Sequence, residues 1–216
     1  MIKVVLIEKG DASMLFHYHF WTPFIEETEE FYKANGFHVS QRIGRYQNEF
    51  QSFNPPQTWE DFRNKPILFR IIEMKKGAIN ITFGFGKKVR FDHIGFLVSD
   101  DDRRKIIDSA KQMHRNIQVN ERRTFIGTPY GFRIELQTNH DVVESEDSPI
   151  SIHELDISTT SKDFQQFFIK LFKKDMSEIV PIFGDKTTIT RAVINHISLK
   201  IATDPNGVTL QNKTIA

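Results

Sequence analysis

The chain contains no cysteine among its 216 residues. Disulfides, thiolate metal sites and cysteine nucleophiles are therefore all excluded, and the composition agrees with a reducing compartment such as the cytoplasm. An excess of charge of either sign is also missing, since Lys and Arg number 29 against 28 Asp and Glu, a formal net charge of +1. Nucleic-acid binding through phosphate neutralisation needs a dominant basic surface, and no basic block occurs. Long apolar runs are absent as well. Met1 to Glu8 carries only a short apolar stretch before Lys9 and Gly10, without a secretory-signal pattern, and nothing approaches membrane-spanning length. The expectation is a soluble cytoplasmic protein with no membrane or nucleic-acid partner. There is no Gly-x-Ser-x-Gly elbow, and Gly84-Phe85-Gly86-Lys87-Lys88 has neither the spacing nor the terminal Ser/Thr of a phosphate loop. Tryptophan (2) and tyrosine (4) are scarce, whereas phenylalanine occurs 20 times. That density implies either a thick core or an aromatic-walled cavity.

What is present is a repeat. Leu15 to Trp21, Phe91 to Ser99 and Ile150 to Ser158 each read as a strand with a histidine near its start, and each is followed by a helical pattern. Phe24 to Asn35 sets Phe24, Thr28, Phe31 and Tyr32 on one face and ends at Gly36. Asp100 to His114 presents Ile106, Ile107, Ala110 and Met113 behind an acidic start suited to a helix N-terminus. In the third segment, Ser161 is placed to cap a helix whose apolar face is Phe164, Phe167, Phe168 and Leu171. His17 to Phe31, His93 to Ile107 and His153 to Phe167 are each 14 residues apart, which suggests one shared strand-loop-helix geometry.

Further strand-like runs follow each helix: 66–73 and 78–85, then 123–128 and 132–137, then 179–183 and 188–200. The expected organisation is a first unit over residues 1–89, a second over 90–140 and a third, degenerate one over 148–216. Polar, Gly- or Pro-punctuated segments separate them. A polar insert at 47–65 interrupts the first unit and reads either as a lid or as an ornamented surface loop.

Side chains alternate across a strand, so residue parity separates its faces. Ile94, Phe96 and Val98 should pack on the helix, as should Phe16, Tyr18 and Phe20 in the first unit and Phe132, Ile134 and Leu136 on the second unit's last strand. The opposite face then carries His17, His19, His93, Arg133, Glu135 and Gln137. It is either a solvated surface or, if the sheet curls into a cup, a pocket. As a pocket, His17, His93 and Glu135 supply two imidazoles and one carboxylate, a ligand set for Fe2+, Mn2+ or Zn2+ with positions left open for substrate.

At these residues the sequence resembles the vicinal oxygen chelate superfamily, which includes glyoxalase I, extradiol dioxygenases and bleomycin-resistance proteins. Asp92 to Asp100 (DHIGFLVSD) and Gly127 to Leu136 (GTPYGFRIEL) are similar to that family's opening His strand and closing Glu strand, and His17 to Val39 to its opening strand and helix. The resemblance implies an α+β fold of repeated βαβββ modules that form a curved, cup-like mixed sheet with helices on the outer face. It also implies a divalent metal on His17, His93 and Glu135, with His19 or Tyr130 as an acid/base group, and a small-molecule substrate held through neighbouring oxygens. Isomerase, lyase or dioxygenase chemistry would follow, with a metal-free small-molecule binder of the same fold as the alternative. Asn80 and Thr82 stand where a fourth, carboxylate ligand would be wanted. Phe125 stands where extradiol enzymes place a tyrosine. Asn195 to Ile201 looks like another opening strand, without a helix after it. Residues 148–216 therefore either complete the sheet or form a homodimer interface.

Overall fold

The computed structural model describes residues 13–199 and 202–213. The N-terminal residues read above for a signal, position 200 of the 188–200 run and positions 200 and 201 of the 195–201 run lie outside these. β1 (Met14–Thr22) leads into α1 (Ile25–Ala34), then β2 (His38–Tyr46), β3 (Glu49–Ser52), β4 (Leu68–Lys76) and β5 (Ile79–Phe85). The second unit runs β6 (Arg90–Leu97), α2 (Asp100–Gln112), β7 (Ile117–Val119), β8 (Arg123–Gly127) and β9 (Arg133–Gln137). The third runs β10 (Ile152–Thr159), α3 (Phe164–Phe172), β11 (Ile179–Phe183), β12 (Thr188–Ile194) and β13 (Thr209–Asn212). Local chemistry sets the helix ends. Ser99 caps α2 by accepting from the Asp102 amide at 3.0 Å, beside the acidic first turn. Gly36, at φ +82°, lets the chain leave α1 in the left-handed region. Ser161 does not cap α3. The cap position falls to Asp163, and the Ser161 hydroxyl instead bonds the Asp163 carboxylate.

Nine strands form one open mixed sheet in the order β3-β2-β4-β5-β1-β6-β9-β8-β7. The two opening strands, β1 and β6, lie antiparallel at its centre, each flanked on its far side by a parallel strand, β5 and β9. This is an α+β fold with a curved, cup-like sheet. The helix-covered face holds the core, with Tyr18, Phe20, Ile94, Phe96, Ile134 and Leu136 fully buried. Sixteen of the 20 phenylalanines are buried and only Phe24, Phe50, Phe85 and Phe183 are exposed, so the aromatic excess serves mainly the core.

Parity fails at one predicted position, and a bulge is the reason. The register between β1 and β6 shifts between Leu15 and His17 and again between His19 and Phe20. Phe16 is the extra residue of the first bulge. It joins Leu97 and Val143 on the open face, while Leu15 enters the helix-side core.

The 47–65 insert is not a free loop. β3 pairs with β2, and Phe53 and Phe62 pack with Trp59 and Phe69. Arg42 fixes the segment through bonds to the carbonyls of Phe53 and Gln57 at 3.0 and 2.9 Å, and is itself held by buried Glu29 at 2.6 Å. Only Phe50 reaches the open face of the sheet.

The third unit builds a separate four-stranded sheet, β11-β10-β12-β13, whose helix side shares the core of the large sheet. Its pairing repeats the centre of the large sheet strand for strand. β10 is parallel to β11 and antiparallel to β12, which is parallel to β13. The bulges repeat too, between Ile152 and Glu154 and between Asp156 and Ile157. β12 thus takes the place of a fourth opening strand. That place does not belong to the run from Asn195, which begins with a turn in which His196 has φ +54°.

Candidate metal centre

The open face of the large sheet forms a cavity of about 940 Å³, with His19, Trp21, His93, Phe125 and Arg133 among its walls. His17 and Glu135 do not line the cavity themselves; they make a buried floor behind His93, 4% and 3% exposed. His17 and His19 project from β1, His93 from β6 and Glu135 from β9, as parity predicts. His17, His93 and Glu135 each direct one ligand atom to a common point, all within 4.8 Å of one another. The Nε2 atoms of His17 and His93 are 3.0 Å apart, and His93 Nε2 is 3.2 Å from Glu135 Oε2. Two ligand atoms each about 2.1 Å from one ion lie about 3 Å apart at a right angle, so these spacings suit a shared divalent ion.

The hydrogen bonds set the tautomers. His17 Nδ1 lies 2.7 Å from the Asn80 carbonyl, which only accepts, so Nδ1 carries the proton and Nε2 the lone pair. His93 Nδ1 donates to the Asp92 carboxylate at 2.8 Å, leaving its Nε2 as the free atom. Burial would raise the Asp92 pKa, but hydrogen bonds from His93 and Arg133 and their charges hold it well below the usual carboxylate range. Burial likewise opposes ionisation of Glu135, yet its close contact with His93 and the fields of His17, His93 and Arg123 lower its pKa to about 2. Burial first, then the neighbouring His93, lowers His17 to about 4. The floor therefore presents two imidazole lone pairs and a carboxylate. Glu135 Oε2 makes no hydrogen bond among the described residues. This donor set fits a divalent cation.

Gly95 makes the close approach possible. A Cβ there would lie 2.9 Å from His17 Cβ and 3.0 Å from the Phe16 ring. His19 stacks on His93 with ring centroids 4.9 Å apart and accepts or donates at Nδ1 with Thr82 Oγ1 at 2.6 Å. Its Nε2 is buried without a partner among the described residues. Burial and the adjacent His93 and His17 push its pKa well down, so it is a neutral imidazole at neutral pH.

Tyr130 is not brought to this cavity. Its turn between β8 and β9 packs on α3, with the ring 4.8 Å from Phe164 and the hydroxyl donating to Asp163 at 3.3 Å. His153, the third repeat histidine, is the extra residue of the β10 bulge and is exposed. His38 and His140 pair with Glu144 and Glu146 away from the floor. Parity does not mark Asp92 for the site, because alternation assigns it to the face opposite His93. The second bulge leaves Asp92 as its extra residue and turns it beside His93. Its position next to a histidine in an opening strand was the available signal.

The register of the small sheet gives each floor position a counterpart. Glu154 occupies the place of His17, Asp156 that of His19, Arg191 that of His93 and Gln211 that of Glu135. Here the centre is filled from within. The Arg191 guanidinium bonds Asp156 Oδ2 at 2.7 Å, Glu154 Oε1 at 3.0 Å and Gln211 Oε1 at 3.0 Å.

No family model and no curated protein matches the sequence. Solved structures do. A mutant of homoprotocatechuate 2,3-dioxygenase from Brevibacterium fuscum aligns with a TM-score of 0.62 at 9% identity, covering 96% of this chain and 74% of that one. The 2,2',3-trihydroxybiphenyl 1,2-dioxygenase from Sphingomonas wittichii gives 0.60 at 11%, covering 87% and 74%. An Mn(II)-bound glyoxalase from Novosphingobium aromaticivorans gives 0.58 at 10%, covering 85% and 66%. The chain shares the fold of these two dioxygenases and of this glyoxalase.

Proposed function

We propose that this protein is a metal-dependent enzyme that binds a small molecule through two neighbouring oxygens, with isomerase, lyase or dioxygenase chemistry. The observation that carries the reading is the convergence of His17 Nε2, His93 Nε2 and Glu135 Oε2, three lone-pair atoms that carry no proton of their own. The similar solved structures, described as dioxygenases and a Mn(II)-bound glyoxalase, support it. Fe2+, Mn2+ or Zn2+ suits the nitrogen and oxygen ligands, and the ion would supply Lewis acidity toward the two substrate oxygens.

The chain's own residues do the rest. Asp92 fixes the His93 ring and its tautomer, as the Asn80 carbonyl does for His17. His19, neutral and beside His93, takes a proton from a substrate hydroxyl at Nε2, with Thr82 holding its other nitrogen. Trp21 and Phe125 form apolar walls for a planar substrate.

Metal analysis of the native chain purified without chelator, beside Glu135→Ala, tests this reading. About one equivalent in the native chain and none in the variant is expected. Native protein without stoichiometric metal, even after anaerobic addition of Fe2+, Mn2+ or Zn2+, would overturn it.

A further inference from the structure

The cavity walls carry more positive charge than their own carboxylates neutralise. Lys75 pairs with Glu73 at 3.4 Å, and Arg133 is committed to Asp92. Arg122 pairs with Asp141 at 2.6 Å and also feels Glu121. Two arginines of the wall remain. Arg70 rests on the Trp21 ring at 4.9 Å, with no carboxylate partner among the described residues. Arg123 lies 5.3 Å from the Phe125 ring and has Glu135 as its nearest carboxylate, with Nη1 3.6 Å from Oε2.

The Arg123 contact has a direct consequence when an ion occupies the floor. Glu135 would then share its charge with the ion, so that ion, carboxylate and Arg123 together would carry a net charge of about +2. The Arg123 side chain is 42% exposed, so it is open to a ligand in the cavity. Phe125 supports its guanidinium and also that of Arg133, which lies 4.3 Å from the same ring. A guanidinium is suited to a carboxylate or another planar oxyanion.

Resting on the metal-dependent reading above, we infer that the ligand of this cavity is an anion. Its charged group lies beside the two chelating oxygens and is held by Arg123. Arg123 is thus a specificity-determining residue, and Arg70, beyond Trp21, faces a more distant part of the ligand.

Catechol, 2,3-dihydroxybenzoate and 3,4-dihydroxybenzoate separate the possibilities. They offer the same pair of oxygens with no carboxylate, an adjacent one and a distant one. The Zn2+-loaded full chain would be titrated with each by isothermal titration calorimetry, so that binding is read without turnover. The 2,3-isomer is expected to bind about tenfold to a hundredfold tighter than catechol, the range of a charge-assisted hydrogen-bonded pair. In Arg123→Gln that ratio should collapse toward one, and in Arg123→Lys it should be partly restored. In Arg70→Gln the ratio should persist, which controls for a general loss of positive charge. Equal affinities in the native chain, or a ratio unchanged in Arg123→Gln, would overturn the inference while leaving the metal site standing. Failure of all three compounds to bind chain that demonstrably carries Zn2+ would instead overturn the chelating function, and this inference with it.

Discussion

His17 and His93 face each other through their Nε2 atoms at 3.0 Å, although each ring already donates its Nδ1 proton to a fixed acceptor. Two lone pairs at that distance repel, so the pair needs a shared proton or a shared cation. Burial and the adjacent His93 hold His17 at about 4, below its ordinary 6.5.

This has a sign in the metal-free protein. Between pH 6.5 and 4 the unfolded chain binds a proton at His17 that the folded chain refuses, so stability rises with pH across that window and falls on acidification. The expected loss between pH 6.5 and 5 is about 2 kcal/mol. Urea unfolding at the two pH values checks it, and His17→Gln should reduce the dependence, leaving the share of the same sign that belongs to His19. Glu135, held at about 2, adds its own loss only below its ordinary 4.5. A metal-free native chain equally stable at both pH values would contradict the assignment.

Asp92→Asn keeps the shape of the side chain but removes the charge that orients His93 and pairs with Arg133. Metal affinity should fall about tenfold to a hundredfold, as for other carboxylate partners of ligating histidines. Competition against a coloured chelator measures it. Unchanged affinity would show that His93 keeps its orientation without Asp92.

Gly95→Ala inserts a methyl group 2.9 Å from His17 Cβ, where Phe16 also blocks retreat. We expect a destabilisation of about 1–3 kcal/mol, the usual cost of overpacking, together with weaker metal binding because His17 must move. Thermal melts with and without Zn2+ separate the two effects. A variant with native stability and native metal response would mean that the strands can part at this point freely.

Arg191→Met removes the cation at the centre of the small sheet and leaves Asp156 and Glu154 facing each other. Asp156 is buried while Arg191 is partly open to solvent, so the cost falls between a buried and a surface pair, about 2 kcal/mol. Denaturant titration checks it, and Arg191→Lys should recover part of the loss.

Alternation alone was enough to find His17, His19, His93 and Glu135, because each projects from a central strand whose other face is packed with Tyr18, Ile94 or Ile134. The three helices were legible from their apolar stripes. What alternation misses is the bulge. Phe16, Asp92 and His153 all sit at or beside one, and an extra residue in a strand leaves no mark in a single sequence. Tyr130 was misplaced for a different reason: a turn residue has no face until its neighbours are known, and here the neighbour is α3. β2 and β3 are harder to read because their outward residues are polar, as in Arg45, Gln51 and Ser52. In the third unit 179–183 and 188–200 were legible as strands, but β13 and the place of β12 as an opening strand were obscured because Arg191 and Gln211, not a histidine and a glutamate, stand at the positions that define the repeat.

Arg191 divides the molecule into two supply regimes. Under the proposed function, one sheet would draw its central ion from the surroundings, and its occupancy would follow scarcity, chelation or replacement by a competing metal. The other carries its positive charge on a covalent arm that no chelator can extract. The half of the chain around α3 is thereby provisioned at synthesis, and under the same proposal sensitivity to metal availability would be confined to the half that holds His17, His93 and Glu135.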